Sequence, residues 1–173
     1  LQKNITKIFM DEDKLNRLPP DVKKQFLKLA LKLSEKKTKS KVHDDFMTFV
    51  KHVWPEFIEG RHHKEIAEKF NQIARGEIKR LIINMPPRHT KSEFASFLLP
   101  SWMVGRKPDL KIIQTTHTTE LAIRFGRKAK TLMDSQEYKQ VFKTRLREDS
   151  QAAGKWETEQ GGEYYAAGVG SAI

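Results

Sequence analysis

Val22, Phe26, Leu29, Ala30 and Leu33 recur at spacings of three and four behind Pro19-Pro20-Asp21. The proline pair supplies a stop and the aspartate an N-cap, so the pattern predicts a short amphipathic helix. The lysine-rich residues 36–41 then read as a linker. A second helix is predicted from Asp44 to Val53, with Phe46, Phe49, Val50 and Val53 on one face, acids in the first turn and Pro55 as its terminator. A third, from His62 to Ala74, gathers Ile66, Phe70 and Ile73 on one side and closes at Gly76.

From Arg80 the period changes. Leu81-Ile82-Ile83 is a compact apolar run, Asn84 to Ser92 is a polar loop, and Glu93 to Val104 is an apolar-rich helix bounded by Gly105 and Pro108. The same order repeats: Leu110 to Gln114 predicts a strand, Thr115 to Glu120 a turn, and the following residues a long helix to about Met133. Gln136 to Phe142 predicts another helix, and Trp156-Glu157-Thr158 and Tyr164-Tyr165-Ala166 form a hairpin around Gly161-Gly162. Alternating strands and helices place the chain in the α/β class, with a parallel sheet and right-handed crossovers as the economical topology.

Composition narrows the partners more than the fold. The chain has 173 residues, 38% hydrophobic and 32% charged, with a mean hydropathy of -0.66, enough apolar content for one domain and an appendage. Without cysteine there is neither a disulfide framework nor a thiolate metal site. No long apolar stretch or basic-then-apolar leader occurs, so neither a membrane span nor a secretory signal is expected. The formal charge is +11, of which residues 1–43 carry +7, from 12 Lys and Arg against 5 Asp and Glu. That excess favours a polyanionic partner such as nucleic acid or a phosphorylated ligand. A start at Leu1 and an end at Ser171-Ala172-Ile173, after a glycine-bearing stretch, lead to the expectation that the chain is a fragment.

The loop at 84–92 carries the candidate chemistry. Phosphate binding between a strand and a helix needs inward backbone N–H groups, a lysine aimed at the outer phosphates and a hydroxyl that ligates magnesium. Lys91 and Ser92 supply the last two in that predicted context. The two glycine positions of the usual pattern fall on Met85 and Thr90, while Pro86 and Pro87 remove two donors and Arg88 adds charge. On spacing alone, a solvated loop with Ser92 as an N-cap and His89 exposed explains these residues equally well. The adjacent His62-His63 pair does not converge on one metal, so zinc is not expected.

Ile82-Ile83-Asn84-Met85-Pro86-Pro87-Arg88-His89-Thr90-Lys91-Ser92-Glu93 closely resembles the variant Walker A segment of tailed-bacteriophage terminase large subunits. Phe125-Gly126-Arg127, Asp149-Ser150, Lys155-Trp156 and Gly161 to Gly170 extend the likeness to that family's N-terminal ATPase region, from about residue 45 to the end. The resemblance implies an ASCE-type P-loop NTPase, with residues 1–43 a basic helical N-terminal extension and 44–173 a partial ATPase domain. It implies ATP and Mg2+ as cofactors. Lys91 would meet the β and γ phosphates, Ser92 would ligate the metal and Arg88 would stabilise the γ-phosphate, with Pro87, His89, Thr90 and Glu93 completing the cradle. Family members usually have glycine where Thr90 stands. Arg61 and His62 fall in the segment that commonly contacts adenine, although a helix-entry loop explains them as well.

By the same resemblance the full-length protein packages double-stranded DNA into procapsids from the host cytoplasm. Its partners would be the portal protein and the small terminase subunit, and it would form a homo-oligomeric, pentameric ring with no membrane association. The family's Walker B strand, an apolar run ending in paired acids, is absent from these residues, since the strand at 110–114 leads into Thr115-Thr116 and Asp134 follows a helix. The expectation is therefore weak nucleotide binding without useful hydrolysis. Two other readings stay open: a nucleic-acid-binding module on a P-loop-like scaffold, using residues 3–43 and Arg124, Arg127, Lys128 and Lys130, and a helicase-like ATPase.

Overall fold

The computed structural model describes residues 12–170. The first eleven residues of the basic extension and the Ser171–Ile173 end lie outside them. The chain divides into two compact units, Leu1–Lys41 and Val42–Ile173.

In the first unit, α1 (Glu12–Asn16) leads through Pro19 into α2 (Pro20–Asp44), whose last three residues fall in the second unit. Leu15 and Ala30 are buried, and the Lys23 ammonium donates to Asn16 Oδ1 at 2.9 Å. Two expectations are corrected. Residues 36–41 are helical rather than a linker, because lysine is a good helix former whose chain stays solvated on the helix surface. Moreover, Val22, Leu29 and Leu33, read as a core face, are 47%, 58% and 45% exposed.

The second unit opens with α3 (Phe46–Val53), whose Asp45 cap accepts from the Thr48 N–H, followed by α4 (Arg61–Ala74). Gly76, at φ +77°, takes the left-handed conformation after α4 that its sequence position predicts. A helical rod then runs without interruption through α5 (Lys91–Glu93), a π turn (Phe94–Leu98) and α6 (Leu99–Arg106). Pro100 accounts for the π turn. It has no N–H for the Ser96 carbonyl and its ring crowds that group, so the ladder widens to Leu99 N–H donating to Phe94 O.

The sheet has four strands, β1 (Lys111–Thr116), β2 (Leu146–Ala152), β3 (Lys155–Thr158) and β4 (Glu163–Gly168), in the order β1-β4-β3-β2. Only β1 and β4 are parallel, with Ile112 opposite Tyr164, whereas β3 runs antiparallel to both neighbours. The class is α/β, but the sheet is mixed rather than parallel. The expected hairpin is present as β3–β4, where the cross-strand pair Trp156 and Tyr164 stacks at 4.6 Å and 1°. β2 was not anticipated. Arg147, Glu148, Asp149 and Ser150 hide its signal, and such charge suits an edge strand.

Leu81–Ile83 is not a strand of this sheet. Its burial still alternates, with Leu81, Ile83 and Met85 against the core, Asn84 exposed and Ile82 86% exposed. The segment has the side-chain pattern of a strand but no backbone ladder among the described residues.

Two further helices complete the unit, α7 (Thr119–Asp134), capped by Thr118, and α8 (Gln136–Val141), capped by Ser135. α7 packs on β1 and β4 through Gly126, where any side chain would meet the Ala153 carbonyl. The core is unusually aromatic: Phe46 meets Phe70, Phe94 and Trp102 edge to face at 5.1–5.4 Å, and Phe49 meets Tyr138 and Phe142. Trp102 Nε1 donates to Val42 O at 3.1 Å, and the Tyr138 hydroxyl donates to Ser101 O at 2.8 Å. This core fixes α3, α4 and the helical rod against one another, and with them the ends that carry the candidate loop.

Candidate functional site

The loop Pro86–Thr90 joins the extended segment 81–85 to the N-terminus of the rod. Two of its residues have left-handed backbone, Arg88 at φ +65° and Thr90 at φ +58°. Neither is glycine, and Thr90 is β-branched, so each conformation costs about 1–2 kcal/mol that the surroundings must offset. They bend the chain sharply where the rod begins. Among the described residues, the N–H groups of Arg88, Thr90, Lys91 and Ser92 make no close backbone hydrogen bond, whereas Pro87 and Arg88 form a hydrogen-bonded turn. Pro86 and Pro87 contribute no donors. The result is a set of N–H groups without a close backbone acceptor, beside left-handed residues at a helix start, an arrangement that favours anions.

Lys91 is half-buried, and its ammonium reaches back to the Met85 carbonyl at a long 3.4 Å. It forms no ion pair among the described residues. Arg88 and Ser92 are exposed. Ser92 lies inside the first turn and is not the N-cap, which is Thr90 in its left-handed conformation with no side-chain capping bond. His89 is exposed, with Nδ1–H donating to Pro87 O at 2.9 Å, a bond that pins the turn. Glu93 points the other way: its two oxygens accept from the Lys128 ammonium at 2.7 and 2.9 Å, clamping the rod to α7. Lys128 is thereby removed from the basic face proposed for α7, where Arg124 and Arg127 remain exposed.

A residue that sequence reasoning passed over supports the strained turn. His63, in the first turn of α4, is 7% exposed between the Phe57 and Phe94 rings, at centroid distances of 4.8 and 5.2 Å. Its Nδ1 accepts from the Gly60 N–H at 2.9 Å, so the hydrogen sits on Nε2 and is donated to Thr90 Oγ1 at 2.6 Å. The threonine hydroxyl then donates to His89 O at 2.7 Å. Burial pushes the imidazole pKa down, His62 and His89 push the same way and Glu59 opposes them, so the ring is held neutral. Glu59 itself is held ionised by Lys51 first and then by Lys64, whose ammonium stands at 3.0 Å. The available signal was His63 at the third position of a helix whose N-cap is glycine, where a side chain can reach back to the cap N–H.

Arg61 and His62, the first two residues of α4, separate. His62 lies against the loop, its ring 3.8 Å from that of His63 and 5.7 Å from that of His89. Arg61 is exposed and its Nε donates to Glu65 at 3.1 Å, away from the loop. Beside them a groove of about 860 Å³ runs between α4 and the extended segment, lined by His62, Ile66, Lys69, Leu81, Ile83 and Met85 among others. No group of three or more His, Asp or Glu side chains suited to a metal occurs among the described residues. None of the described helices is long and apolar enough to cross a membrane. Comparison with protein-family models, curated proteins and solved structures gives no match to this chain.

Proposed function

We propose that residues 86–92 bind the phosphates of ATP, and that the chain is the ATP-binding portion of a viral DNA-packaging motor of the terminase large-subunit type. The observation that carries the reading is the loop end bent by two left-handed residues, where among the described residues the Arg88, Thr90, Lys91 and Ser92 amides make no close backbone hydrogen bond and Lys91 makes no ion pair. An ordinary connecting loop has no reason to keep two strained non-glycine residues, whereas a site that must present donors does.

In this reading each residue has a separate task. The amides of Arg88, Thr90, Lys91 and Ser92 orient the phosphates. The Lys91 ammonium, held near the loop by one weak bond, moves from Met85 O to a phosphate oxygen with little to give up. Exposed Arg88 supplies a second cation. The Ser92 hydroxyl suits Mg2+, which needs few protein ligands when phosphate oxygens and water supply the rest. When bound, Mg2+ neutralises phosphate charge and orients the terminal group. β1 ends in Gln114, Thr115 and Thr116, so no carboxylate at that strand end activates water. The chain therefore binds Mg-ATP without turning it over.

A nucleic-acid-binding module without nucleotide affinity is the second reading, favoured by the eight lysines of α2 against three acids. Thermal unfolding separates the two. Mg-ATP at a hundredfold excess over Kd stabilises by about 2.7 kcal/mol, a rise of roughly 5–10 °C for a chain of this size. The ATP reading predicts that rise and its loss in Lys91→Ala. A shift with duplex DNA alone, and none with Mg-ATP, would favour the second reading.

A further inference from the structure

Thr90 poses a problem that the nucleotide-binding reading does not answer: a β-branched residue occupies left-handed backbone at the point where the rod begins. Something must hold it there. Among the described residues, the side-chain hydrogen bond that reaches Thr90 from outside the loop comes from His63, whose Nε2 lies 2.6 Å from the Thr90 hydroxyl. The opposite ring nitrogen is anchored to the Gly60 N–H, and the ring is wedged between Phe57 and Phe94. Phe94 belongs to the rod that Thr90 caps, and its N–H donates to Thr90 O at 3.0 Å. His63 thus touches the strained residue and packs on the turn that follows it. The imidazole has little freedom to move. A side chain on Gly60 would come within 3.0–3.4 Å of the His62 and His63 rings, a tight fit that those rings would have to relieve by a few tenths of an ångström.

Resting on the nucleotide-binding reading, we infer that His63 is a positioning residue for the phosphate loop: it holds Thr90 in the left-handed conformation that turns the Lys91 and Ser92 amides toward the ligand. Glycine adopts the same backbone without help, so histidine at 63 and threonine at 90 act as a matched pair that replaces a glycine. The relay from Gly60 N–H through the ring to the Thr90 hydroxyl and on to His89 O has a fixed direction, each group donating to the next. A side chain at 63 serves only if it offers a donor at the Nε2 position.

The test is a double-mutant cycle read as Mg-ATP affinity by calorimetric titration. His63→Leu fills the apolar slot but donates nothing, and it is expected to weaken binding about tenfold, the scale of a contacting pair. His63→Gln, whose amide nitrogen stands near the Nε2 position, retains affinity to within about threefold by supplying the donor. The informative arm places both leucine and glycine variants in one chain: in the Thr90→Gly background, His63→Leu is expected to cost less than about twofold. A histidine that merely supports local packing would cost the same in both backgrounds, and equal costs overturn the inference. Tryptic cleavage after Arg88 in ligand-free protein gives an independent reading, expected to quicken in His63→Leu and not in His63→Gln. Equal cleavage in the two variants would also overturn it. If no variant, wild type included, shows Lys91-dependent affinity, the nucleotide-binding reading fails instead, and the cleavage arm still decides whether His63 holds the turn.

Discussion

The left-handed backbone at Thr90 predicts a reversal of an ordinary substitution rule, and two replacements expose it. Thr90→Ala keeps a Cβ and removes the hydroxyl, leaving the His63 Nε2–H, 7% exposed, without its 2.6 Å acceptor. An unsatisfied buried donor costs about 1–3 kcal/mol, and the strain of φ +58° persists. Thr90→Gly loses the same bond but releases about 1–2 kcal/mol of left-handed strain, against about 0.4–1 kcal/mol of extra unfolded-chain entropy. The lost hydrogen bond cancels in the comparison. Glycine should therefore be more stable than alanine at this position by about 0.5–1 kcal/mol, although in ordinary helical or extended backbone it is less stable by about the same amount. Urea unfolding of the two variants side by side, with equal m-values, measures the difference without any ligand. Alanine equal to or more stable than glycine would refute the strained geometry and the reasoning built on it.

Other consequences follow from the same geometry. Because burial lowers the His63 pKa, the folded state binds fewer protons than the unfolded one just below the ordinary imidazole value of about 6.5. Its contribution is complete above that pH and is lost as the pH falls, so wild type loses more stability between about pH 7.5 and 5 than His63→Leu does; parallel profiles in urea would contradict this. Gly126→Ala would drive a Cβ into Ala153 O and place it 2.9 Å from Tyr164 Cε1, and forcing α7 off the sheet is expected to cost about 1–3 kcal/mol, read as a lower Tm. Purified protein with Mg-ATP should release no phosphate above background, and hydrolysis abolished by Lys91→Ala would show that a carboxylate elsewhere completes the site.

What the sequence disclosed was mostly what local chemistry decides. Pro55 and Gly76 close α3 and α4 and Gly161-Gly162 turns β3 into β4, where punctuation put them, whereas α3 starts at Phe46 behind the Asp45 cap and not at Asp44 with acids in its first turn. The misreadings concern properties that no window of residues contains. Leu81–Ile83 has a strand's alternation, but a ladder requires a neighbour, and pattern cannot supply one. β2 pairs through its backbone while its side chains are polar, so hydrophobic periodicity is silent there. The lysines at 36–41 look like a linker by charge and behave as a helix by propensity. At the loop, type and spacing drew attention to Lys91 and Ser92 and the family resemblance to Arg88, while the strand expected before them is not part of the sheet. The part played by His63 was not, because its bond to Thr90 joins residues 27 apart and depends on how α4 is seated in the core.

The account stands on residues 86–92 forming a phosphate cradle completed by the ammonium of Lys91. Calorimetric titration of Mg-ATP into wild type and Lys91→Ala tests it most directly. Saturable binding to wild type, weakened at least about tenfold by loss of one charge-assisted contact, is the predicted result. Equal affinity in the two proteins, or no binding to wild type, would contradict it.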